Sequence, residues 1–268
     1  TTTAPAPTHV PDARPSRRRP VSNLSRMEPV YTPVIGFALT VFRAQGLRFT
    51  ITGSENVPRQ GGGVVVMNHL SYFDYAYAGL PAREQGRIVR WMAKKEIFDN
   101  PVMGPLMRGM KHIPVDRKAG VGAYQEAVSA LRRGELVGVF PETTISRSLE
   151  LREFKTGAVR MALEADVPMI PVVAFGNHRV WTKDQPKRLG RSNVPIHMDV
   201  GTPIHVPEGA NAVEETHQLR ETMTAMLHRL QEAYPPLGPD EQGYVPARLG
   251  GSAPTPERAK ELEAQEAQ

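Results

Sequence analysis

Short runs of β-branched apolar residues alternate along the chain with segments that repeat apolar residues at helical spacing. The run VVVMN at 64–68 is apolar on both faces, as in a strand covered from both sides. In contrast, Leu219, Met223 and Leu227 recur every four residues, which is typical of an amphipathic helix. Strands separated by helices predict βαβ units and a mostly parallel sheet.

The predicted elements follow from these periods and from the glycine and proline residues that bound them. Predicted helices cover 30–44, 72–80, 121–134, 156–166 and 212–233, and the third of them ends at Gly134. Predicted strands cover 47–53, 61–68, 87–94, 135–142 and 167–176, and 196–206 is predicted as a strand pair or a long edge strand. The fold class is therefore α/β: a single domain with a mostly parallel central sheet flanked by helices and an N-terminal amphipathic helical segment.

The two ends of the chain differ in composition from its centre. Residues 1–26 are rich in Pro, Thr, Ala and Arg without periodicity and are predicted to form a flexible basic tail. Residues 236–268 are predicted to form a C-terminal tail, with a short charged helix in PERAKELEAQEAQ. The domain is expected at 27–235, and its first part, 27–48, is a candidate membrane-interface helical segment.

Charge and composition narrow the classes of partner. Among 268 residues, 33 Lys and Arg exceed 28 Asp and Glu, which favours an anionic partner: nucleic acid, a membrane surface or a phosphorylated substrate. Four of the arginines lie in the tail sequence RPSRRRP, so the domain is closer to neutral. Nucleic-acid binding would depend on that tail alone and is not expected.

Several kinds of site are excluded or poorly supported. The chain has no cysteine, which excludes disulfides, thiolate nucleophiles and Cys-based zinc sites. Its histidines lack metal-ligand spacing, and neither a phosphate-binding glycine loop nor a G-x-S-x-G elbow is present. The N-terminus does not resemble a signal peptide, and the apolar run Val34–Phe42 is far shorter than the roughly 20 residues of a spanning helix. We therefore expect no metal, no cofactor and no spanning helix.

The candidate chemistry lies in VVVMNHLSYFD, where a buried strand leads directly to His69 and, five positions later, to Asp74. Ligands of open α/β sheets bind at the carboxyl ends of strands. If His69 lies in the turn and Asp74 in the first turn of the next helix, the carboxylate reaches back to the imidazole. It then fixes the tautomer and leaves the other ring nitrogen free as a base. The alternative is a structural histidine followed by a helix cap at Asp74 or Ser71.

Four blocks in fixed order resemble the glycerolipid acyltransferases, the lysophosphatidic acid acyltransferase or PlsC-like family. The blocks are NHLSYFD, which has the N-H-x4-D form, GMKHIPVDR at 109–117, FPETTIS at 140–146 and VPMIPV at 167–172. The sequences AKKEIF and FKTG also fit. The resemblance covers about residues 50–175, and the ordered set is far more specific than any one block.

The resemblance implies transfer of a fatty acyl group from a thioester, acyl-CoA or acyl carrier protein, to a hydroxyl of a glycerol phosphate or lysophospholipid. His69 would then be the general base and Asp74 its orienting carboxylate. Backbone N–H groups after Asn68 are expected to bind the oxyanion. Arg117 and Lys94 are candidate ligands of the acceptor phosphate, and Glu142 would contact the acceptor or brace the site.

The third block departs from the family pattern F-P-E-G-T-R-S. Thr143 stands where the family has glycine, and Ile145 where it has an arginine that binds phosphate. Arg147 is a candidate replacement, and both Thr143 and Arg147 are predicted at the substrate site. The departure leaves the acceptor open among lysophosphatidate, glycerol 3-phosphate, another lysophospholipid and a glycolipid. It also suggests an alternative, a catalytically silent lipid-binding homologue.

A membrane-bound substrate requires an enzyme at the bilayer surface. The segment 27–48 carries Tyr31, Phe37 and Phe42 followed by Arg43 and Arg48, an arrangement typical of an interfacial helix. The alternative is a helix packed on the sheet. We expect peripheral attachment to the cytoplasmic face of the cell membrane.

Overall fold

A seven-stranded sheet forms the centre of the computed structural model, which describes residues 28–116 and 120–266. The strands are β1 (Arg48–Thr52), β2 (Gly63–Met67), β3 (Val89–Lys94), β4 (Ile113–Val115), β5 (Leu136–Val139), β6 (Met169–Phe175) and β7 (Pro195–Val200). Their order across the sheet is β1-β7-β6-β2-β5-β3-β4. Neighbouring strands are parallel except β6 and β7, which are antiparallel. The predicted fold class is confirmed.

Helices cover both faces of this sheet. They are α1 (Tyr31–Ala44), α2 (Asp74–Tyr77), α3 (Leu80–Glu84), α4 (Lys95–Asp99), α5 (Met103–Gly109), α6 (Gly120–Arg132), α7 (Gly157–Ala165), α8 (Ala212–Glu232) and α9 (Pro256–Glu266). Short 3-10 turns occupy 54–56, 177–179, 239–244 and 247–249. None of the helices in the described part of the chain has the length and hydrophobicity needed to span a bilayer.

The core has two layers because the side chains of β2 alternate between the two faces. Val64 and Val66 pack in the cluster that includes residues of α6, α7 and α8. Val65 and Met67 pack in the cluster that includes Phe42 of α1 and residues of α2 and α3. Every residue of β2 is buried, so the strand is apolar throughout and its register is set on both sides.

Two predicted elements differ from the structure, and one predicted helix end agrees with it. The predicted helix at 72–80 is divided into α2 and α3, because the chain turns at Gly79 and Pro81 starts a new helix. The segment 196–206 was predicted as a strand pair or an edge strand, but β7 lies between β1 and β6, and Ile204 adds only an isolated bridge to Met169. The predicted end of the third helix is correct, since Gly134 follows α6 with φ of +85°.

The structure also differs from the predicted C-terminal tail. Within 236–266, Tyr244, Ala253 and Ala259 are buried, and α9 packs on the domain. Charged contacts, which a hydrophobic pattern does not register, hold this helix: Glu263 binds Arg152 and Glu266 binds Arg147. The predicted basic tail at 1–26 lies outside the described residues.

Candidate active site

The site begins where β2 ends, at the carboxyl edge of the sheet. Asn68 joins β2 to β6: its side-chain nitrogen donates to the carbonyl of Ala174 at 3.0 Å, and its oxygen accepts from the amide of Ala174 at 2.8 Å. A fully buried amide side chain needs such partners. The pair fixes the direction in which the chain leaves the strand and enters the turn at His69.

The predicted contact between His69 and Asp74 is present. Nδ1 of His69 lies 2.9 Å from Oδ2 of Asp74, the first residue of α2. The His69 side chain is 22% exposed and that of Asp74 is fully buried. Nδ1–H therefore donates to the carboxylate, and Nε2 is left as the ring nitrogen with a free lone pair.

Further donors hold the Asp74 carboxylate in place. Its Oδ2 also accepts from the amides of Leu70 at 2.7 Å and Ser71 at 2.8 Å, and its Oδ1 accepts from Asn177. The turn between β2 and α2 thus folds around the carboxylate. Asn177 was not predicted, although it follows β6 at the same edge of the sheet, where the strand-end argument applies equally.

The backbone amides after Asn68 are engaged within the protein. The amide of His69 donates to Glu142, those of Leu70 and Ser71 donate to Asp74, and that of Tyr72 donates to the carbonyl of Trp181. These four amides are therefore not available as the oxyanion donors expected after Asn68, because their N–H groups point at internal acceptors.

Glu142 supports the turn between β2 and α2 that carries His69, which we call the catalytic loop. Its Oε1 accepts from the amide of His69 at 2.9 Å, and its Oε2 accepts from the amide of Arg152 at 3.0 Å. Burial raises the pKa of Glu142 to about 7, although the two N–H donors and the nearby charge of Arg152 act in the opposite direction. These two contacts correspond to the supporting role expected for Glu142.

An aromatic stack supports the imidazole from one side. The ring of His69 lies on Phe140 with centroids 4.5 Å apart, and Phe140 lies on the buried Trp91 with centroids 5.0 Å apart. Gly138 makes room for this stack, because a Cβ atom there would meet the Trp91 ring at 2.4 Å. Strand β5 therefore carries a glycine where the indole needs the space.

Of the predicted phosphate ligands Lys94, Arg117 and Arg147, the structure describes Lys94 and Arg147. Lys94 is exposed at the carboxyl end of β3, and strand β5 separates β3 from β2. At roughly 4.8 Å per strand, Lys94 is two strands, about 10 Å, away from the end of β2. Arg117 lies outside the described residues. Ile145, where the family has arginine, is buried.

Arg147 is buried rather than open to an acceptor. Its side chain is 4% exposed, its Nε donates to Asp184 at 2.5 Å, and its Nη2 donates to Glu266 of α9. In this structure the guanidinium is thus already occupied by carboxylates. Neither Glu263 nor Glu266 was predicted at the site, since 236–268 was interpreted as a tail.

Comparison with known proteins assigns the family. The family model described as Acyltransferase matches residues 48–174, which contain His69, Asp74 and Glu142. Residues 48–174 carry an acyltransferase domain. The predicted resemblance is thereby confirmed.

Relatives of this acyltransferase carry one name. Over 190 residues it is 24% identical to a 1-acyl-sn-glycerol-3-phosphate acyltransferase of Borreliella burgdorferi, covering 68% of this chain and 69% of that protein. It is 27% identical over 186 residues to the protein of that name from Bacillus subtilis, covering 68% of this chain and 86% of that protein. It is 32% identical over 162 residues to the protein of that name from Limnanthes douglasii, covering 59% of this chain and 55% of that protein. The chain thus spans about half of the plant protein.

A solved structure shares the fold of this acyltransferase. The crystal structure of PlsC from Thermotoga maritima superposes with a TM-score of 0.61 and is 23% identical in sequence, covering 76% of this chain and 81% of that one. At this identity the likeness concerns the fold. Among the described residues of the acyltransferase, no group of His, Asp and Glu is arranged to hold a metal ion.

Thr143 of the acyltransferase occupies a backbone conformation that favours glycine. Its φ is +65°, in the left-handed region, which is costly for a β-branched residue. The glycine of the family pattern adopts this conformation without strain. The departure at Thr143 therefore retains the turn of the third block at a cost in backbone energy.

Replacing Thr143 by glycine should relieve that strain. We expect Thr143→Gly to be more stable than Thr144→Gly by about 1–2 kcal/mol. Both variants are destabilised by the greater entropy of glycine in the unfolded chain, but only Thr143, which has a positive φ, is relieved of backbone strain. Urea unfolding of both variants measures the difference. Equal losses of stability would show that Thr143 is not strained.

The pKa of Glu142 predicts a pH dependence of stability. A carboxyl with a pKa of about 7 in the folded state, against 4.5 as its ordinary value, binds more protons folded than unfolded between these values. Its stabilising contribution is therefore complete below pH 4.5 and is lost as pH rises to 7. Relative to Glu142→Gln, which does not titrate, the wild type should lose about 3 kcal/mol of unfolding free energy across this window. Unfolding at several pH values tests this, and parallel pH profiles would contradict it.

Proposed function

We propose that this acyltransferase moves a fatty acyl group from a thioester, acyl-CoA or acyl carrier protein, to a hydroxyl of a glycerol phosphate or lysophospholipid. The thioester is a co-substrate, and the proposed reaction needs no further cofactor. His69 acts as the general base and Asp74 as the group that orients it. The names of the bacterial and plant relatives, all 1-acyl-sn-glycerol-3-phosphate acyltransferases, support an acceptor of this class.

The proposed reaction is a direct transfer. Nε2 of His69 takes the proton of the acceptor hydroxyl, and the oxygen attacks the thioester carbonyl carbon. The tetrahedral intermediate collapses, the C–S bond breaks, and the leaving thiolate receives the proton from the imidazolium. Asp74 stabilises the positive imidazolium between these steps. The protein forms no covalent intermediate.

The observation that carries this proposal is the 2.9 Å contact between His69 and Asp74, together with the exposure of the imidazole. A histidine with a merely structural role needs no buried carboxylate with several N–H donors of its own. Here the backbone amides of Leu70 and Ser71 and the side chain of Asn177 hold the carboxylate in place independently of the imidazole. Such preorganisation is what a general base requires.

The acceptor is the part of the proposal on which the third block bears. Ile145 removes a cation from the family pattern, and we propose that Lys94, Arg117 and Arg147 bind the acceptor phosphate instead. The same departure keeps two alternatives open to experiment: a glycolipid acceptor, and a catalytically silent lipid-binding homologue. The intact pair of His69 and Asp74 favours an active enzyme.

We further propose that the enzyme attaches peripherally to the cytoplasmic face of the cell membrane through α1. Two of the three aromatic residues of this helix, Tyr31 and Phe42, are buried in the protein, so α1 packs on the domain. Phe37 points outward and is 72% exposed, and Arg43 and Arg48 are exposed as well. An exposed phenylalanine with nearby arginines suits an anionic bilayer surface.

Removing the imidazole should abolish transfer. We expect His69→Ala and Asp74→Asn to lose at least about 10²-fold in rate, since general-base catalysis contributes 10²- to 10⁴-fold. Release of CoA from palmitoyl-CoA, with lysophosphatidate, glycerol 3-phosphate, another lysophospholipid and a glycolipid as acceptors, measures it. A second series of assays uses palmitoyl-acyl carrier protein as the donor instead of palmitoyl-CoA.

The matched control is His217→Ala, an exposed histidine on α8 whose contact is with Glu221 of the same helix. It should retain wild-type transfer. Near-wild-type turnover by folded His69→Ala would remove His69 from the mechanism. A wild-type protein that transfers to none of the acceptors but binds lipid would establish the silent homologue.

Membrane attachment is tested separately. We expect Phe37→Ser to weaken binding to vesicles containing anionic phospholipid by about tenfold, because burial of a phenylalanine contributes roughly 1.5–3 kcal/mol. Cosedimentation with vesicles measures it. The control Val213→Ser changes an equally exposed apolar residue on α8, which packs against the opposite face of the sheet. Equal binding by both variants would show that α1 is not the attachment site.

A further inference from the structure

Two cavities of about 460 and 530 Å³ meet at the contact between Arg147 and α9. Both are lined by Arg147, Thr182, Lys183, Asp184, Gln185 and Glu266. The smaller cavity extends to Tyr72, three residues beyond His69, and the larger extends along α9 to Leu262. Glu266 therefore lies between the two cavities, at its contact with Arg147.

Arg147 has hydrogen-bonding capacity left over in this place. Its Nε and Nη2 bind Asp184 and Glu266, but its buried Nη1 has no partner in the described part of the chain. Its backbone is anchored next to the catalytic loop, since the amide of Ser146 donates to the carbonyl of His69 at 2.9 Å. A buried guanidinium with an unused donor is suited to an additional anion.

Lys183 is a second cation that lines both cavities, and we call the surface formed by Arg147 and Lys183 the wall. It is half-buried, and burial together with the charge of Arg147 lowers the pKa of its ammonium. The preceding residue is fixed, because the hydroxyl of Thr182 donates to the carbonyl of Leu70 at 2.7 Å. An anion between Lys183 and Arg147 would relieve the repulsion between the two charges.

Two carboxylates that pair with arginines in this region belong to a weakly attached helix, α9. Glu266 binds Arg147 and Glu263 binds Arg152, and we call these two residues the carboxylate cap. Ala259 is the buried residue of α9, and most of its other side chains are exposed. Since little apolar surface holds the helix, its position depends largely on ion pairs, which competing anions weaken.

We propose that the wall formed by Arg147 and Lys183 is an anion site for the phosphate of the acceptor, and that Glu266 of the carboxylate cap occupies it until phosphate displaces this residue. The inference rests on the proposed function for the identity of the anion. A phosphate monoester presents more charge and more acceptor oxygens than one carboxylate, so it competes well for a guanidinium. The cap thus keeps buried cations paired when no acceptor is bound.

Removing one carboxylate of the cap should strengthen phosphate binding. By isothermal titration, Glu266→Gln should bind glycerol 3-phosphate about fivefold more tightly than the wild type, the upper range for one partly exposed ion pair. The control is Glu261→Gln, which removes a carboxylate of the same helix whose ion pair is with Arg258 of α9. It should bind as the wild type does. Glu263→Gln removes the ion pair of α9 with Arg152 and provides a second variant, in which the helix is attached more weakly and Glu266 is displaced more easily.

Displacement of the helix is measured by hydrogen exchange in the full chain. Glycerol 3-phosphate should increase exchange of the α9 amides in the wild type, whereas glycerol should leave it unchanged. Lys183→Met should weaken both the binding and the effect on α9. Unchanged exchange in α9, or equal affinities of Glu266→Gln and Glu261→Gln, would overturn the proposal.

Two further arms separate the possible sources of phosphate and the two proposals. CoA also carries phosphate groups, and release of α9 by CoA but not by glycerol 3-phosphate would overturn the assignment to the acceptor. If transfer to lysophosphatidate occurs while its KM is the same in Glu266→Gln and the wild type, the cap is wrong and the proposed function stands. If glycerol 3-phosphate releases α9 but no acceptor is acylated, the anion site stands and the proposed function fails.

Discussion

The buried carboxylate of Asp74 is the group around which this active site is built. A carboxylate removed from water must be hydrogen-bonded on both oxygens, because an unpaired buried charge is very costly. Here the amides of Leu70 and Ser71, the ring of His69 and the side chain of Asn177 meet this demand. Satisfying the carboxylate therefore shapes the turn, and the imidazole is positioned as one of its donors.

Glu142 extends the same constraint to the third sequence block. It is a second buried carboxyl, and it accepts from the amides of His69 and Arg152. Its raised pKa shows that two amide donors compensate its burial only in part. Because Arg152 also binds Glu263, a continuous set of contacts leads from α9 through Glu142 to the backbone of His69. The C-terminal helix and the catalytic loop are thus parts of one polar network.

Departures from the family pattern also have physical counterparts. Thr143 adopts a glycine-like backbone, and Ile145 is buried where the pattern has a cation. Arg147 supplies a guanidinium two residues later, but within the domain and paired with carboxylates. The consequence is a guanidinium whose positive charge is neutralised by carboxylates of the same chain in the structure described.

The sequence by itself determined the α/β class, the burial of β2, and the pairing of His69 with Asp74, because periodicity and a five-residue separation act locally. It also indicated the family, through short blocks in a fixed order. Only the tertiary structure decided that Asn177 holds Asp74, that Glu142 braces His69, and that α9 covers Arg147. Those contacts join residues about 70 to 120 positions apart, and their energy comes from burying and pairing charges, for which a linear hydrophobic pattern carries no signal.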